Sequence, residues 1–294
     1  MVILVERYIK QLIMNKTLFL AALAALSLGS VSCREKDRPL PGISLFCDHI
    51  ETVARQEGIS FAEAAARIKA IGYEGADVRV LQRPDAIKTL DSLGFKHSCA
   101  ITDIDYTKGD QREIEDKTIA FMDENGYDRL LLVLGVMPED GLPAEEIDSI
   151  RRRVASFVGR VAAKGYTIMV EDYDSRRSLT FNSERIDSLF AVSKDLGLVF
   201  DSGNFIFAGE DALDRVDYYR DKIGHVHLKD RTSLTDMRCV PIGTGCVPIA
   251  DVIGKLVEIG YTGWLTVEQF GSRNMLADSE TSFKNVSAAL ARLE

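Results

Sequence analysis

From Gly42 to the C-terminus, short apolar runs of β-type residues alternate with amphipathic stretches of helical period, and this alternation restricts the fold more than any other feature of the sequence. Strands joined through crossover helices run parallel, so the pattern specifies a parallel sheet wound with helices. The strand segments read from the chain are Ile43–Cys47, Gly75–Val80, Ser98–Ile104, Arg129–Gly135, Thr167–Asp172, Leu198–Asp201, His225–Asp230 and Trp264–Phe270. Helical periodicity falls near 61–71, 84–93, 110–125, 144–164, 183–196, 210–222, 248–259 and 279–293. Ser60-Phe61-Ala62-Glu63 reads as a capping box, and Gly72, Gly94, Gly126, Gly165, Gly197 and Gly260 fall where helices should end. About eight βα units in roughly 250 residues match a closed (βα)8 TIM barrel, and the glycine-rich first turn of a dinucleotide-binding open sheet is absent. The expectation is an α/β chain with one barrel domain over 42–294. Its 46% hydrophobic content is sufficient for a large core.

Ahead of the barrel, Met14-Asn15-Lys16 leads into the apolar run Thr17–Gly29, which ends in Ser30-Val31-Ser32-Cys33. That run is shorter than the roughly 20 residues that span a bilayer and has the length of a signal-peptide core. The Cys33 context resembles a bacterial lipobox, although a branched apolar residue is more usual where Ser30 stands. The resemblance implies acylation of Cys33, a signal segment over 1–33, a tether over 34–41, and an exported protein that meets the membrane only through its lipid. A plain secretory signal would instead leave a periplasmic protein; an uncleaved anchor or a misassigned start are further readings, Met14 being the more natural start. The formal charge of −9, with no basic stripe, makes nucleic acid an unsuitable partner. Cys47, Cys99, Cys239 and Cys246 have no zinc-framework spacing, and Cys47 and Cys99 lie in apolar runs expected to bury them. No oligomeric state is legible.

In such a barrel the chemistry sits at the C-terminal ends of the strands. The last four strand segments end in Val170-Glu171-Asp172, Phe200-Asp201, His225-Val226-His227-Leu228-Lys229-Asp230 and Val267-Glu268. Strand alternation puts Glu268 on one face with Thr266 and Trp264, and His225 with His227. Glu171, Asp201, His227 and Glu268 then converge as an oxygen-rich site for one divalent ion, Mn²⁺, Mg²⁺ or Co²⁺, with Zn²⁺ also acceptable. Without a cation or compensating groups such a cluster is costly. The bland reading is a set of solvated acids beside strand ends.

The segments VED (170–172), FDSGN (200–204), HVHLKD (225–230), PIGTG (241–245) and TVEQF (266–270) resemble the xylose isomerase-like TIM barrels, a superfamily that includes sugar phosphate isomerases, ketose 3-epimerases, inosose dehydratase and endonuclease IV. The resemblance implies that Glu171, Asp201, His227 and Glu268 bind one metal and that Glu171 and Glu268 also act as acid and base on opposite faces of a sugar. It carries the expectation of a metal-dependent carbohydrate isomerase or epimerase working through an enediolate. A lyase or dehydratase acting on a keto-sugar, glycoside or polyol would use the same enolisation, and a non-catalytic carbohydrate-binding lipoprotein is the non-enzyme alternative. An endonuclease IV-like trinuclear site needs more histidines than His49, His97, His225 and His227. Further substrate-binding candidates are His225, Asn204, Lys229, Arg231, Arg177 and Asp77. Arg177 and Asn204 stand where free-ketohexose epimerases carry Glu and His, which counts against a free ketohexose. Asp48 and His49 end the first strand segment and are within range of substrate. Gly243 and Gly245 would either offer backbone N–H groups to an anion or simply form a tight turn.

Overall fold

Eight parallel strands follow one another around a closed ring in this computed structural model, which describes residues 39–80, 84–236 and 238–293. They are β1 (Gly42–Phe46), β2 (Gly75–Arg79), β3 (Lys96–Ile104), β4 (Arg129–Leu134), β5 (Thr167–Glu171), β6 (Leu196–Asp201), β7 (Ile223–Arg231) and, after a short strand β8 (Cys239–Val240), β9 (Trp264–Glu268). Each barrel strand pairs with its sequence neighbour, β6 with β7, β7 with β9 and β9 with β1, so the sheet has no free barrel edge. Helices alternate with the strands, and the fold is the (βα)8 TIM barrel expected from the alternation. β8 lies outside the ring, antiparallel to the end of β7 through Asp230↔Val240 and Arg231↔Cys239. The signal, lipobox and Cys33 readings lie outside the described residues, as does most of the 34–41 tether. Among the described residues no helix is long and apolar enough to cross a membrane.

The strands' period of two divides the core. Outward residues such as Leu45, Val78, Leu132, Val170, Phe200, Leu228 and Val267 join one large apolar cluster with the helices. A second, smaller cluster of Phe46, Cys99, Ile101, Leu131, Met169 and Val199 is separate from it and comes from alternate positions of the strands. In β7 and β9 the corresponding alternate positions are polar: His225, His227, Lys229, Thr266 and Glu268 are all buried. Below the strand ends, the polar interior is therefore built chiefly on β7 and β9, facing an apolar wall from β3 to β6.

Three local readings are corrected. Cys47, read as the end of a strand, opens a helix (Cys47–Glu57) that buries Cys47, His49, Ile50 and Val53. That helix has no side-chain N-cap to announce it and follows β1 directly. Gly197 does not end a helix. The preceding helix stops at Phe190, and Gly197 lies inside β6, where a Cβ would come 3.0 Å from Met169 Cγ. The residues after strand six, given no element from the sequence, form a short helix (Ser202–Phe207) capped by Asp201. The remaining glycines, Gly72, Gly94, Gly126, Gly165 and Gly260, do have the positive φ of helix ends. Ser60 Oγ accepts from Glu63 N at 3.2 Å, while the Glu63 carboxylate turns to Arg67. Among the described residues Cys47, Cys99, Cys239 and Cys246 form no disulfide, and the first two are buried.

Candidate active site

Each of the four candidate ligands is delivered by a strand end. Glu171 and Asp201 are the last residues of β5 and β6, Glu268 ends β9, and His227 is paired in register with Asp201 on one side and Thr266 on the other. Ligand atoms of Glu171, Asp201, His227 and Glu268 all lie within 4.8 Å of one another. His227 Nδ1 is 2.5 Å from Glu171 Oε1 and 3.4 Å from Glu268 Oε2. Asp201 is oriented by its own helix: Oδ1 accepts from the N–H groups of Gly203 and Asn204, both at 2.8 Å. Its Oδ2 is buried without a hydrogen-bond partner, although Lys229 Nζ stands 3.3 Å away.

Lys229 compensates much of this charge. Its Nζ is 2.5 Å from Glu268 Oε1 and 3.1 Å from Asn204 Oδ1. Burial opposes its charge, but Asp201, Glu268, Asp174 and Glu171 outweigh burial and keep the ammonium protonated far above the usual lysine range. Glu268 is held below the usual carboxylate range because Lys229 and His227 outweigh burial. At Asp201 burial wins, helped by Glu268 and Glu171, and the carboxyl is pushed up to about 7. Burial and the adjacent Asp201 push Asp172 well above the carboxylate range. His227 also sits far above its ordinary value, since Glu171 and hydrogen bonds to Asp77, Glu171 and Glu268 overcome desolvation.

The cluster opens into a cavity of about 160 Å³, room for several waters. Glu171, His227, Lys229 and Glu268 line it, together with Arg79, Asp103, Tyr173 and Asp174 and the apolar Phe46 and Phe270. Arg79 donates to Asp48 Oδ2 at 2.9 Å and Asp103 Oδ2 at 2.6 Å, so the guanidinium is fixed across the wall. Sequence reading stopped at Asp77 on this strand. The residue at its C-terminal end is Arg79, two further along on the same face, and the alternation rule applied to the full length of β2 would have found it.

Several candidates stand behind the wall. Asn204 is 2% exposed and bridges the structure, donating from Nδ2 to Asp172 O at 2.7 Å and accepting from Lys229 and Arg231. Arg231 is fully buried and donates to Gly203 O, Asn204 Oδ1 and Asp174 Oδ2. Arg177 is exposed on the loop after β5 and does not line the cavity. Asp77 and His225 are 1% and 0% exposed and lie in the barrel interior in contact with each other and, through Asp77, with His227. Asp48 meets Arg79, while His49 is buried with Nε2 accepting from Gln269 N at 2.9 Å, and burial pulls its pKa down to about 4. The N–H groups of Gly243 and Gly245 do meet an anion, but an internal one: the Asp230 carboxylate, at 2.9 and 2.8 Å.

Three carboxylates and one imidazole, with an orphaned buried Asp201 oxygen aimed among them, fit a hard divalent cation.

Residues 65–293 match the xylose isomerase-like TIM barrel family. The chain is 32% identical to an inosose dehydratase of Geobacillus kaustophilus (strain HTA426) over 105 residues, which is 29% of this chain and 34% of that relative. The match thus spans about a third of the curated relative's length. Among solved structures, the probable 3-DHS dehydratase AsbF of Bacillus anthracis superposes with a TM-score of 0.69 at 15% identity, over 84% of this chain and 98% of that one. A D-allulose 3-epimerase from Methylomonas sp. does so with a TM-score of 0.70 at 14% identity, over 86% and 99%. At that identity the structural likeness speaks for the fold, and the sequence match over most of the barrel for the family: this chain belongs to the xylose isomerase-like TIM barrels.

Proposed function

We propose that this barrel is a divalent-metal-dependent carbohydrate enzyme that enolises a small polyhydroxylated carbonyl compound. The observation that carries this is the four-residue cluster of Glu171, Asp201, His227 and Glu268 at the floor of a small polar cavity. A bound divalent cation would supply charge stabilisation to a carbonyl and its neighbouring hydroxyl, which acidifies the adjacent C–H. Glu171 is the carboxylate positioned to take that proton. His227 lines the floor with Asp201 behind it, and Phe46 and Phe270 cover part of the wall. With proton return from the opposite face by Glu268 the outcome is epimerisation; with return by one base to the neighbouring carbon it is isomerisation.

The contact between Lys229 and Glu268 favours a second outcome, dehydration. Glu268 is held ionised by an ammonium 2.5 Å away, so the proton donor on that face is Lys229. As Glu171 removes the proton, the C–H electrons form the carbon–carbon double bond, the neighbouring C–O bond breaks, and Lys229 protonates the departing hydroxyl to give water. Relatives named for inosose dehydration and for ketose epimerisation accord with the shared first step. With Cys33 acylated the enzyme would work outside the cytoplasm, where free sugars and glycosides are more accessible than sugar phosphates.

The test is metal content of the purified chain followed by NMR of candidate keto-sugars and inososes in D2O. About one metal per chain and deuterium entering a C–H beside a carbonyl are the expected results; absence of metal under every loading condition would overturn the reading. Lys229→Met then separates the outcomes: water loss should fall about 100-fold or more while deuterium exchange persists, whereas equal loss of both would remove Lys229 from the leaving-group step.

Metal entry has to displace protons. Asp201, raised to about 7, and His227, raised well above its ordinary range, both hold their protons more tightly than usual, so protons compete with the cation on the acid side. Apparent Mn²⁺ affinity should therefore fall as pH is lowered from 8 to 6, by roughly tenfold per unit for each proton displaced. Calorimetry in buffers of different ionisation enthalpy should register proton release; a pH-independent affinity would contradict the assignment.

A further inference from the structure

Asp77 is among the most deeply enclosed carboxylates of the barrel, and its two oxygens are divided between different kinds of partner. Oδ1 accepts from Ser98 Oγ at 2.5 Å and from Thr266 Oγ1 at 3.0 Å. Oδ2 faces two imidazoles, His225 Nε2 at 2.9 Å and His227 Nε2 at 3.1 Å. Ser44 Oγ, 2.5 Å from Thr266 Oγ1, and His225 Nε2, 2.9 Å from the same oxygen, complete the set. Ser44, Ser98, Thr266, His225 and His227 are all 0% exposed, so water does not substitute for any of these partners.

Hydrogen counting gives the direction of the bonds to Asp77. An ionised carboxylate has nothing to donate, and Asp77 stands among two hydroxyls and two imidazoles, each able to give it a hydrogen. Both ring nitrogens that meet Oδ2 must then carry hydrogen. For His225 this leaves Nδ1 bare, and that atom is indeed buried without a hydrogen-bond partner. For His227 the Nε2 hydrogen is committed downward to Asp77, and the nitrogen facing Glu171 and Glu268 is Nδ1. The second cluster with ligand-like spacing, Asp77, His225 and His227, is thus the support beneath the first, because its ring nitrogens offer hydrogens and no lone pairs.

We infer that Asp77 is the positioning residue of the metal centre: by accepting the Nε2 hydrogen of His227 it fixes that ring's plane and tautomer, so that Nδ1 is the atom presented to the cation. This rests on the metal reading above. Its physical basis is general, since a coordinating histidine needs its other nitrogen anchored to hold one tautomer. Without the Asp77 acceptor the neutral ring is free to carry its hydrogen on Nδ1, bonded to Glu171, which removes the lone pair the cation needs. Ser98 and Thr266 hold the carboxylate plane, and His225 shares Oδ2 and packs edge-on against the His227 ring, 5.3 Å between centroids.

The wild-type chain decides first. With ¹⁵N-labelled histidine and ¹¹³Cd²⁺ as the probe, scalar coupling between cadmium and His227 Nδ1, with Nε2 still protonated, is the expected result; coupling through Nε2 would overturn the inference. Asp77→Asn should weaken Mn²⁺ and Cd²⁺ binding by about 10–100-fold and shift the His227 tautomer in the metal-free protein, read at alkaline pH where the ring is neutral. Ser98→Ala, which removes a donor to Oδ1 only, should leave that tautomer unchanged. Wild-type affinity and an unchanged tautomer in Asp77→Asn would sink the role, and if that variant does not fold, the wild-type spectrum still decides. Failure of cadmium to bind would count against the metal reading instead; the metal-free spectrum at alkaline pH, where the His227 ring is neutral, then stands alone, a protonated Nε2 with a bare Nδ1 supporting the hold by Asp77 and a bare Nε2 refuting it.

Discussion

Glu171→Gln is expected to lower turnover about 10³-fold while leaving the circular dichroism spectrum of the barrel intact. The side chain is 7% exposed, at the end of β5, where its carboxylate meets His227 and borders the cavity. Glutamine keeps the shape and length of the side chain but has no basic oxygen with which to take a proton from carbon, and loss of a positioned general base typically costs 10²–10⁴-fold. The fold should survive because the outward apolar cluster carries the packing of β5 through Ile168 and Val170, which the substitution does not touch. Removing one carboxylate also lowers the like-charge repulsion among Glu171, Asp201 and Glu268, offsetting part of what is lost when His227 gives up its ionised partner. Metal affinity should drop as well, so turnover is measured at saturating Mn²⁺ to isolate the proton-transfer role. A variant retaining more than about a tenth of wild-type activity would remove Glu171 as the base. Glu268→Gln gives a useful contrast: if Lys229 is the proton donor on that face, its chief effect should be on metal and lysine placement, with a smaller loss at saturating metal.

The parts of this molecule that could be read from the sequence are those governed by periodicity. Apolar runs of period two and helices of period 3.6 locate the eight barrel strands to within a few residues, and the polar residues closing the last four runs are brought together at one end of the ring. What was illegible depended on depth and on partners. Asp77 and Arg79 share a face of β2, but only the position of the strand's end decides that Arg79 borders the cavity and Asp77 lies within. His225 and His227 are in the same relation on β7. Asn204 and Arg231 have the composition of substrate contacts, yet in the folded chain they grip Lys229, Asp174 and the backbone of the Ser202–Phe207 helix. The helix Cys47–Glu57 lacked a capping side chain, and Gly197 resembled a helix stop because a close approach of chains and a helix end both demand the same small residue.

The PIGTG segment supplies the second large effect, on stability. Asp230 is fully buried, and its carboxylate accepts four backbone N–H groups, from Arg231 at 2.8 Å, Gly243 at 2.9 Å, Gly245 at 2.8 Å and Val247 at 3.1 Å. The loop after β7 is thereby wound around a charge that the chain itself provides, and β8 is pinned beside it by the pairing Asp230↔Val240. Hydrogen bonds to a charged acceptor contribute about 1.5–3 kcal/mol each, but the two glycines are exposed and water replaces the carboxylate there. Asp230→Ala should therefore cost about 3–5 kcal/mol, read from the midpoint of urea unfolding at unchanged slope. Gly245→Ala tests the same arrangement from the other side, since a Cβ at 245 would overlap the Arg231 carbonyl oxygen and the Asp230 carboxylate; about 2 kcal/mol is expected from the resulting backbone shift. Both losses reach the active site, because Arg231 next to Asp230 holds Asn204 and Asn204 holds Lys229. Activity should fall in these variants even at temperatures where they remain folded. Unfolding midpoints within about 0.5 kcal/mol of wild type would mean that water satisfies the loop equally well and that Asp230 does not organise it.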